Sequence, residues 1–322
     1  MNISRRKFLK GGVVAAGTIA ATAVPKTLKA SESNTDETLV TLIDISKCIG
    51  CEACVEGCKD VNSGKYPKPK KPFPKMYPNR VPVMDWSDKQ DVNDRLTPYN
   101  WVYIQSADVE VAGEEKELFI PRRCMHCKNP PCVKLCPWGA ARQQDNGISR
   151  FDPDLCMGGS KCKGVCPWKI PERQTGVGIY LDVMPALAGN GVMFKCDRCY
   201  NRIAKGEMPA CIEECPNDVQ KIGKASDIIK EAKEIAKKTG GYLYGLEENG
   251  GTNTIYISPV PFEELNSKIE KGKGKPHFKK VGDAMENGNN IALAMIVAPL
   301  AGIAAAFGKF YKGMKADGGS DE

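Results

Sequence analysis

Cys48-Ile49-Gly50-Cys51-Glu52-Ala53-Cys54-Val55-Glu56-Gly57-Cys58 decides the fold. Its four cysteines follow one another as C-x2-C-x2-C-x3-C, which suits one kind of cofactor. Three close thiolates on a tight loop wrap a corner of a cuboidal iron–sulfur cluster, and the fourth, at the start of a following helix, points away to a second cluster. Three related groups follow: Cys124-x2-Cys127-x4-Cys132-x3-Cys136-Pro137, Cys156-x5-Cys162-x3-Cys166-Pro167 and Cys196-x2-Cys199-x11-Cys211-x3-Cys215-Pro216. The groups therefore work in pairs. Zinc ribbons use isolated C-x2-C pairs and leave a third and fourth cysteine at fixed offsets unexplained.

Group three carries an informative departure. On the register of group one, Cys156, Cys162 and Cys166 take the first, third and fourth places, and Gly159 takes the second. Glycine offers no side-chain ligand. The spacing therefore predicts a [3Fe-4S] cluster, or a [4Fe-4S] cluster with one labile iron.

The rest of the composition narrows the function. The chain has 322 residues, 42% of them apolar, which allows a packed core. Fifteen cysteines is an odd count, so disulfides alone would leave a thiol over. A net charge of +7 without a basic stripe, interleaved aromatics or a known module does not suit nucleic-acid binding.

Leu39–Asp44 reads as a short strand leading into Cys48, and Gly147–Asp152 leads likewise into Cys156. In both, an aspartate sits four residues before the first cysteine, an internal repeat of a strand–loop–helix unit. Trp101–Ile104 and Glu117–Ile120 flank a turn at Gly113 and predict a hairpin. Residues 226–238 predict a surface helix, with Ser226 as N-cap, Ile229, Ala232, Ile235 and Ala236 inward, and Gly240 as its stop. Thr254–Ile257 reads as a late strand. Lys65–Pro82 holds five lysines, one arginine, six prolines and no acid, so it is expected as an extended loop. It is either a solvated insertion or a docking site for an acidic partner or lipid headgroups.

His126 lies between two cysteines, but no second histidine is near, and shielding of a cluster suits it better than ligation. Trp138 and Trp168 each follow a Cys-Pro and are expected to pack beside clusters in the core. His277 is the only other histidine, so a haem held by histidines of this chain's own apolar segment is excluded.

Both ends read as addresses. Arg5 and Arg6, followed by Lys7-Phe8-Leu9-Lys10, precede an apolar run from Gly11 to Val24 and a small-residue exit near Ala30. That order is an export signal, and the arginine pair resembles the twin-arginine type, which carries proteins already folded. Ile291–Gly308 is an uncharged stretch of about 27 Å as a helix, barely enough to span a bilayer. Tyr311, Lys309, Lys312 and Lys315 would anchor its far end. More lysines precede it than follow it, but large exported domains cross largely regardless of flanking charge. The expected location is the periplasmic side of the cytoplasmic membrane, held by a single C-terminal helix.

Four such groups in this order, with a long insertion after the first, resemble the four-cluster iron–sulfur subunits of membrane-bound molybdopterin oxidoreductases and hydrogenases. The arginine pair with a C-terminal anchor looks most like the periplasmic hydrogenase-2 type; the formate dehydrogenase subunit shares the anchor but usually travels on its partner's signal. The gap at Gly159 resembles nitrate reductase, where a tryptophan fills that place. The resemblance spans roughly residues 36–260. It implies an α+β fold of two pseudo-symmetric bacterial-ferredoxin-like dicluster modules with insertions, plus the transmembrane helix. The expected boundaries are 1–30 for the signal peptide, 36–60 with 195–225 for the first module, and 61–117 for the insertion and start of the hairpin. Residues 118–194 form the second module, 226–288 a helix/strand extension, 291–308 the anchor and 309–322 a tail.

The resemblance also pairs group one with four and group two with three. Cluster one then takes Cys48, Cys51, Cys54 and Cys215; cluster two takes Cys196, Cys199, Cys211 and Cys58. Cluster three takes Cys124, Cys127, Cys132 and Cys166, and cluster four takes Cys156, Cys162 and Cys136. The implied cofactors are three [4Fe-4S] clusters and one [3Fe-4S] or labile [4Fe-4S] cluster. The implied function is a non-catalytic relay of electrons between a catalytic oxidoreductase subunit and a membrane quinone-reactive or cytochrome subunit. The alternatives are a free-standing anchored polyferredoxin serving cytochromes, and a structural zinc or disulfide protein.

Overall fold

The structure, a computed structural model, describes residues 38–73, 82–183 and 191–286. The signal with Arg5 and Arg6, and the apolar stretch Ile291–Gly308, lie outside these residues. No helix among the described residues is long and apolar enough to cross a membrane.

Along the chain run β1 (Leu39–Asp44), α1 (Ala53–Asn62), β2 (Tyr103–Val111), β3 (Glu114–Arg122), α2 (Pro131–Lys134) and β4 (Ala141–Gln143). Then come β5 (Ser149–Phe151), α3 (Lys161–Val165), β6 (Glu172–Gln174), α4 (Tyr180–Val183), β7 (Val192–Phe194) and α5 (Tyr200–Ile203). The rest are α6 (Ala210–Glu213), β8 (Gln220–Lys224), α7 (Ala225–Thr239), β9 (Tyr242–Tyr244), β10 (Thr254–Ser258) and α8 (Phe262–Lys268). Most of the cysteine-bearing segments are one-turn helices and loops. Such pieces cannot hold themselves together by propensity and depend on what they pack against.

The frame is a four-stranded sheet in the order β8-β1-β10-β9, with β1 parallel to β10 and antiparallel to β8. Side chains alternate across it. Val40 and Leu42 of β1, with Ile255 and Ile257 of β10, pack under α7 against Ile228 and Ala232. Ile43 and Tyr256 face the other way, into the cluster of side chains that contains the cysteines. The sheet is thus a wall between α7 and the cysteine core. Burying Ile228 alone is worth roughly 1.5–3 kcal/mol. β10 belongs to the expected helix/strand extension, yet it lies inside the sheet beside the strand that leads to Cys48.

Two sequence expectations about α7 are corrected. The helix starts at Ala225, with Lys224 at the cap position and no side-chain cap bond; Ser226 lies inside it and its hydroxyl donates to Asp227 Oδ1. The inward face is led by Ile228, Ala232 and Ala236, with Ile229 and Ile235 half-buried at its margins. Gly240, at φ 68°, stops the helix in the left-handed conformation that glycine adopts freely.

The hairpin β2–β3 runs in register from Tyr103 opposite Arg122 to Val111 opposite Glu114. Ala112 and Gly113 turn it with φ of 55° and 86°, as a tight hairpin turn requires. It ends at Arg122 and delivers Arg123 and Cys124 into the core. Within Lys65–Pro82, residues 74–81 lie outside the described residues, and Tyr66–Phe73 carries no strand or helix. Two of its lysines pair within the chain: Lys65 with Asp197 at 2.7 Å and Lys71 with Asp85 and Asp88, both at 3.1 Å.

Candidate metal centres

The four cysteine groups share one backbone device. The residue just before the second place of each group has a left-handed backbone: Gly50 (φ 72°), His126 (46°), Gly158 (67°) and Arg198 (54°). This conformation closes the loop tightly and turns successive N–H groups to one side, making a concavity for a negatively charged group. Groups one and three match further. Glu52 and Ser160 are both left-handed, at 59° and 55°, and each opens the helix that carries Cys54 or Cys162. Gly159 therefore occupies the backbone position that Cys51 holds in group one. A Cβ built on Gly159 meets nothing within 4 Å.

The folded chain gathers the cysteines into four cages. Cage one is lined by Cys48, Cys51, Cys54 and Cys215, with Ile49, Ile104 and Gln220. Cage two comprises Cys58, Cys196, Cys199 and Cys211, all buried. There Asn62 Nδ2 lies 3.6 Å from both Cys58 Sγ and Cys199 Sγ and donates to them, and Cys58 lies in the field of the other three. Cage three is lined by Cys124, Cys127, Cys132 and Cys166, with His126, Ser149, Trp168 and Lys195. Cage four has Cys136, Cys156 and Cys162, with Trp138, Gly159, Ser160 and Met193.

Neighbouring cages are electrostatically linked in a row. Cys54 of cage one lies in the field of Cys211 of cage two. Cys196 of cage two lies in that of Cys124 of cage three, and Cys162 of cage four in that of Cys132 of cage three.

The donor chemistry fits iron–sulfur clusters. All fifteen cysteines are free thiols. Burial pushes the Cys132 and Cys196 thiols up to about 12 and Cys166 to about 11. Buried thiols of this kind become thiolates only when iron displaces their protons. The sulfurs stand around cavities and not about a point: among the described residues, no group of three or more His, Cys, Asp or Glu converges on a single metal ion. A cluster held in such a cage supplies a one-electron couple.

Buried cations answer this concentration of thiolate. Arg123 Nη1 donates to Cys211 Sγ at 2.6 Å, while its Nε and Nη2 are buried without a partner among the described residues. Burial disfavours its charge, but Cys211 and Cys196 outweigh burial and hold it charged. Lys195 is likewise opposed by burial and held charged by Cys124, Cys132 and Cys196; its Nζ donates to the carbonyls of Ser149 (2.5 Å) and Cys196 (3.1 Å). Arg198 bonds the carbonyls of Leu39 (2.8 Å) and Asn253 (2.7 Å) and the Thr254 hydroxyl (2.8 Å), tying group four to β1 and β10.

The sequence reading missed these side chains. Their signal was the alternation Lys195-Cys196-Asp197-Arg198-Cys199 and the pair Arg122-Arg123 before Cys124: charges directly beside thiolates that must be buried. One expectation is corrected. Trp168 is buried, and its Nε1 donates to the Tyr244 hydroxyl at 2.9 Å, but Trp138 is 55% exposed. Trp138 follows Cys136 on the outer rim of cage four, where no element among the described residues covers it. His277 is far from a ligand's role, with Nε2 3.2 Å from the Pro167 carbonyl.

Two 4Fe-4S dicluster domain families match the chain, at residues 47–140 and 116–225, together spanning all four groups. The chain is 30% identical to the formate dehydrogenase-O iron-sulfur subunit of Escherichia coli K12, over 69% of this chain and 67% of the relative. The chain belongs to the dicluster iron–sulfur subunit family. It is also 27% identical to the hydrogenase-2 operon protein HybA of Escherichia coli O157:H7 over 99% of both chains. A putative dimethyl sulfoxide reductase iron-sulfur subunit of Halobacterium salinarum is 29% identical, over 78% of this chain and 93% of that one. The work of this iron–sulfur subunit is electron transfer.

Proposed function

We propose that the chain relays electrons through four clusters, between a catalytic oxidoreductase subunit and a membrane quinone-reactive or cytochrome subunit. The clusters are three [4Fe-4S] and one [3Fe-4S]. Their ligands are Cys48, Cys51, Cys54 and Cys215; Cys58, Cys196, Cys199 and Cys211; Cys124, Cys127, Cys132 and Cys166; and Cys136, Cys156 and Cys162. The grouping of these side chains around the cages supports this ligand set. Relatives named for hydrogenase and formate dehydrogenase support a catalytic partner of that kind. The arginine pair Arg5-Arg6 and the stretch Ile291–Gly308 support export by the twin-arginine route and a membrane anchor, with the clusters on the periplasmic side.

The observation that carries the three-iron assignment is Gly159 in the backbone position of Cys51, in the cage where only three thiols gather. The empty space at its Cβ position leaves room for the missing ligand. Paramagnetic resonance of the oxidised protein is expected to show a three-iron signal, and Gly159→Cys to abolish it with a gain of iron. Wild-type protein without that signal, or a variant that keeps it, overturns the assignment. Fractionated cells are expected to carry the signal in the membrane fraction, with the protein open to protease in spheroplasts. A signal confined to the soluble cytoplasm would overturn the location.

A further inference from the structure

Two of the four loops place a non-glycine residue in the left-handed conformation just before the second cysteine. A bulky side chain there costs strain, which persists only where the surroundings over-determine it. Arg198 has a structural reason, since its guanidinium ties β1 to β10. His126 has a different set of contacts. Its carbonyl accepts from Asn253 N at 3.0 Å, and its Nδ1 accepts from the backbone N–H of Ser149 at 3.2 Å. The bond to Nδ1 fixes the tautomer: a neutral ring that accepts there carries its proton on Nε2. That Nε2 is buried without a partner among the described residues, and the ring is 1% exposed. The same ring lines cage three beside Cys124, Cys127, Cys132 and Cys166. A buried N–H is costly to leave unpaired, so the ring needs an acceptor from within the cage.

Lys195 lines the same cage, buried at 6% exposure. Among the described residues no carboxylate lines the cavity with it and its bonds run to carbonyls; the carboxylate in its field, Asp197, is itself paired with Lys65. Cages one and four lack this combination. Cage one is lined by the neutral Gln220 and by Glu52, cage four by Trp138, Phe151 and Met193 with Lys161 at its exposed rim.

We infer that His126 and Lys195 raise the reduction potential of the cluster in cage three, the histidine by donating its Nε2–H to a cluster sulfur and the lysine by its fixed charge. Both act on the difference between redox states. Adding an electron makes a cluster more negative, so a nearby cation and a hydrogen bond to sulfur favour the reduced form. The third of the four centres then holds electrons more readily than an all-apolar cage would allow. Both are positioning and tuning residues, not ligands. The inference rests on the proposed assignment of a cluster to Cys124, Cys127, Cys132 and Cys166.

The experiment is a potentiometric titration of the purified full-length protein, with cluster signals followed by paramagnetic resonance. Iron and sulfide content are measured first. A wild-type protein short of one cluster's iron and lacking a third [4Fe-4S] signal defeats the cluster assignment itself, independently of the tuning. With all clusters present, Lys195→Met is expected to lower the potential of one [4Fe-4S] cluster, shifting its reduction equilibrium about tenfold, or about 59 mV for a one-electron couple. His126→Leu is expected to lower the same cluster's potential, and His126→Gln, which keeps an N–H, to restore part of the shift. In deuterated buffer, electron–nuclear double resonance of that cluster is expected to lose an exchangeable-proton coupling in His126→Leu. Should His126→Leu fail to assemble, Lys195→Met and histidine-nitrogen labelling of the wild type carry the test. Unchanged potentials in the assembled variants, or a wild-type cluster without coupling to a histidine nitrogen, would overturn the inference.

Discussion

Cages two and three differ from cages one and four in what surrounds their thiols. In cage two every cysteine is buried, and Arg123, Asn62 and backbone N–H groups reach the sulfurs. Cage one opens to solvent at the exposed Cys51 and Ile49, and cage four at Trp138 and Leu135. An electron carrier needs both kinds. The outer cages must come close to another protein, and water can screen their charge. Cage two, with all four thiols buried, is shielded from water, and a buried charge without compensation costs several kcal/mol. Arg123 and Lys195 supply that compensation from within the chain.

Three pairs of substitutions set the inner and outer cages against each other. The largest effect is expected at Cys58→Ser against Cys51→Ser. Cys58 lies on α1 in the heart of cage two, and α1 packs directly on α6, which carries Cys211. Its loss should remove the cluster of cage two and leave the unfilled core open, so little soluble protein is recovered. Cys51→Ser should cost cage one's iron only, leaving the other signals in place. Equal iron loss in the two variants would erase the distinction. Next, Arg123→Met should destabilise by about 3–5 kcal/mol, the usual cost of stripping one partner from a buried charge pair. Lys161→Met, at the exposed rim of cage four, should stay within about 0.5 kcal/mol. Midpoints of anaerobic thermal unfolding, followed by loss of cluster absorbance, measure both. The smallest effect is expected at Trp138→Ala, again within about 0.5 kcal/mol. Its sequence counterpart Trp168→Ala should cost about 3–5 kcal/mol, because it leaves a cavity and removes the indole N–H from the Tyr244 hydroxyl, which keeps only its bond to the Lys279 carbonyl. A destabilised Trp138→Ala would mean that something in the folded chain covers this side chain after all.

The two tryptophans also show where sequence reading stops. Cysteine spacing, the strands Leu39–Asp44 and Thr254–Ile257, the hairpin and the Gly240 stop are all local patterns, and the structure shows elements at these places. The register that put Gly159 opposite Cys51 is repeated in the backbone angles. Trp138 and Trp168 each follow a Cys-Pro, and it is the tertiary packing that separates them. Ser226 has the chemistry of a helix cap, but the helix begins one residue earlier, where β8 runs straight into α7. Arg123 and Lys195 were passed over for a related reason. A lone cation is normally read as solvent-facing, and only the position of the thiolates around it makes burial favourable.

The parallel pairing of β1 with β10 has a consequence for how the molecule is made. Leu39–Asp44 is among the first described segments to be synthesised, and its partners are residues 220–224 and 254–258. The strand that leads into Cys48 therefore waits unpaired while some two hundred further residues emerge, and Cys48 waits for Cys215 over nearly the same interval. Contacts this distant close slowly and late. During that wait the thiols of the first group lie open to air, to stray metal and to one another. Assembly consequently favours a setting that is reducing and supplied with iron until the last strand is in place, before the finished protein meets any oxidising compartment.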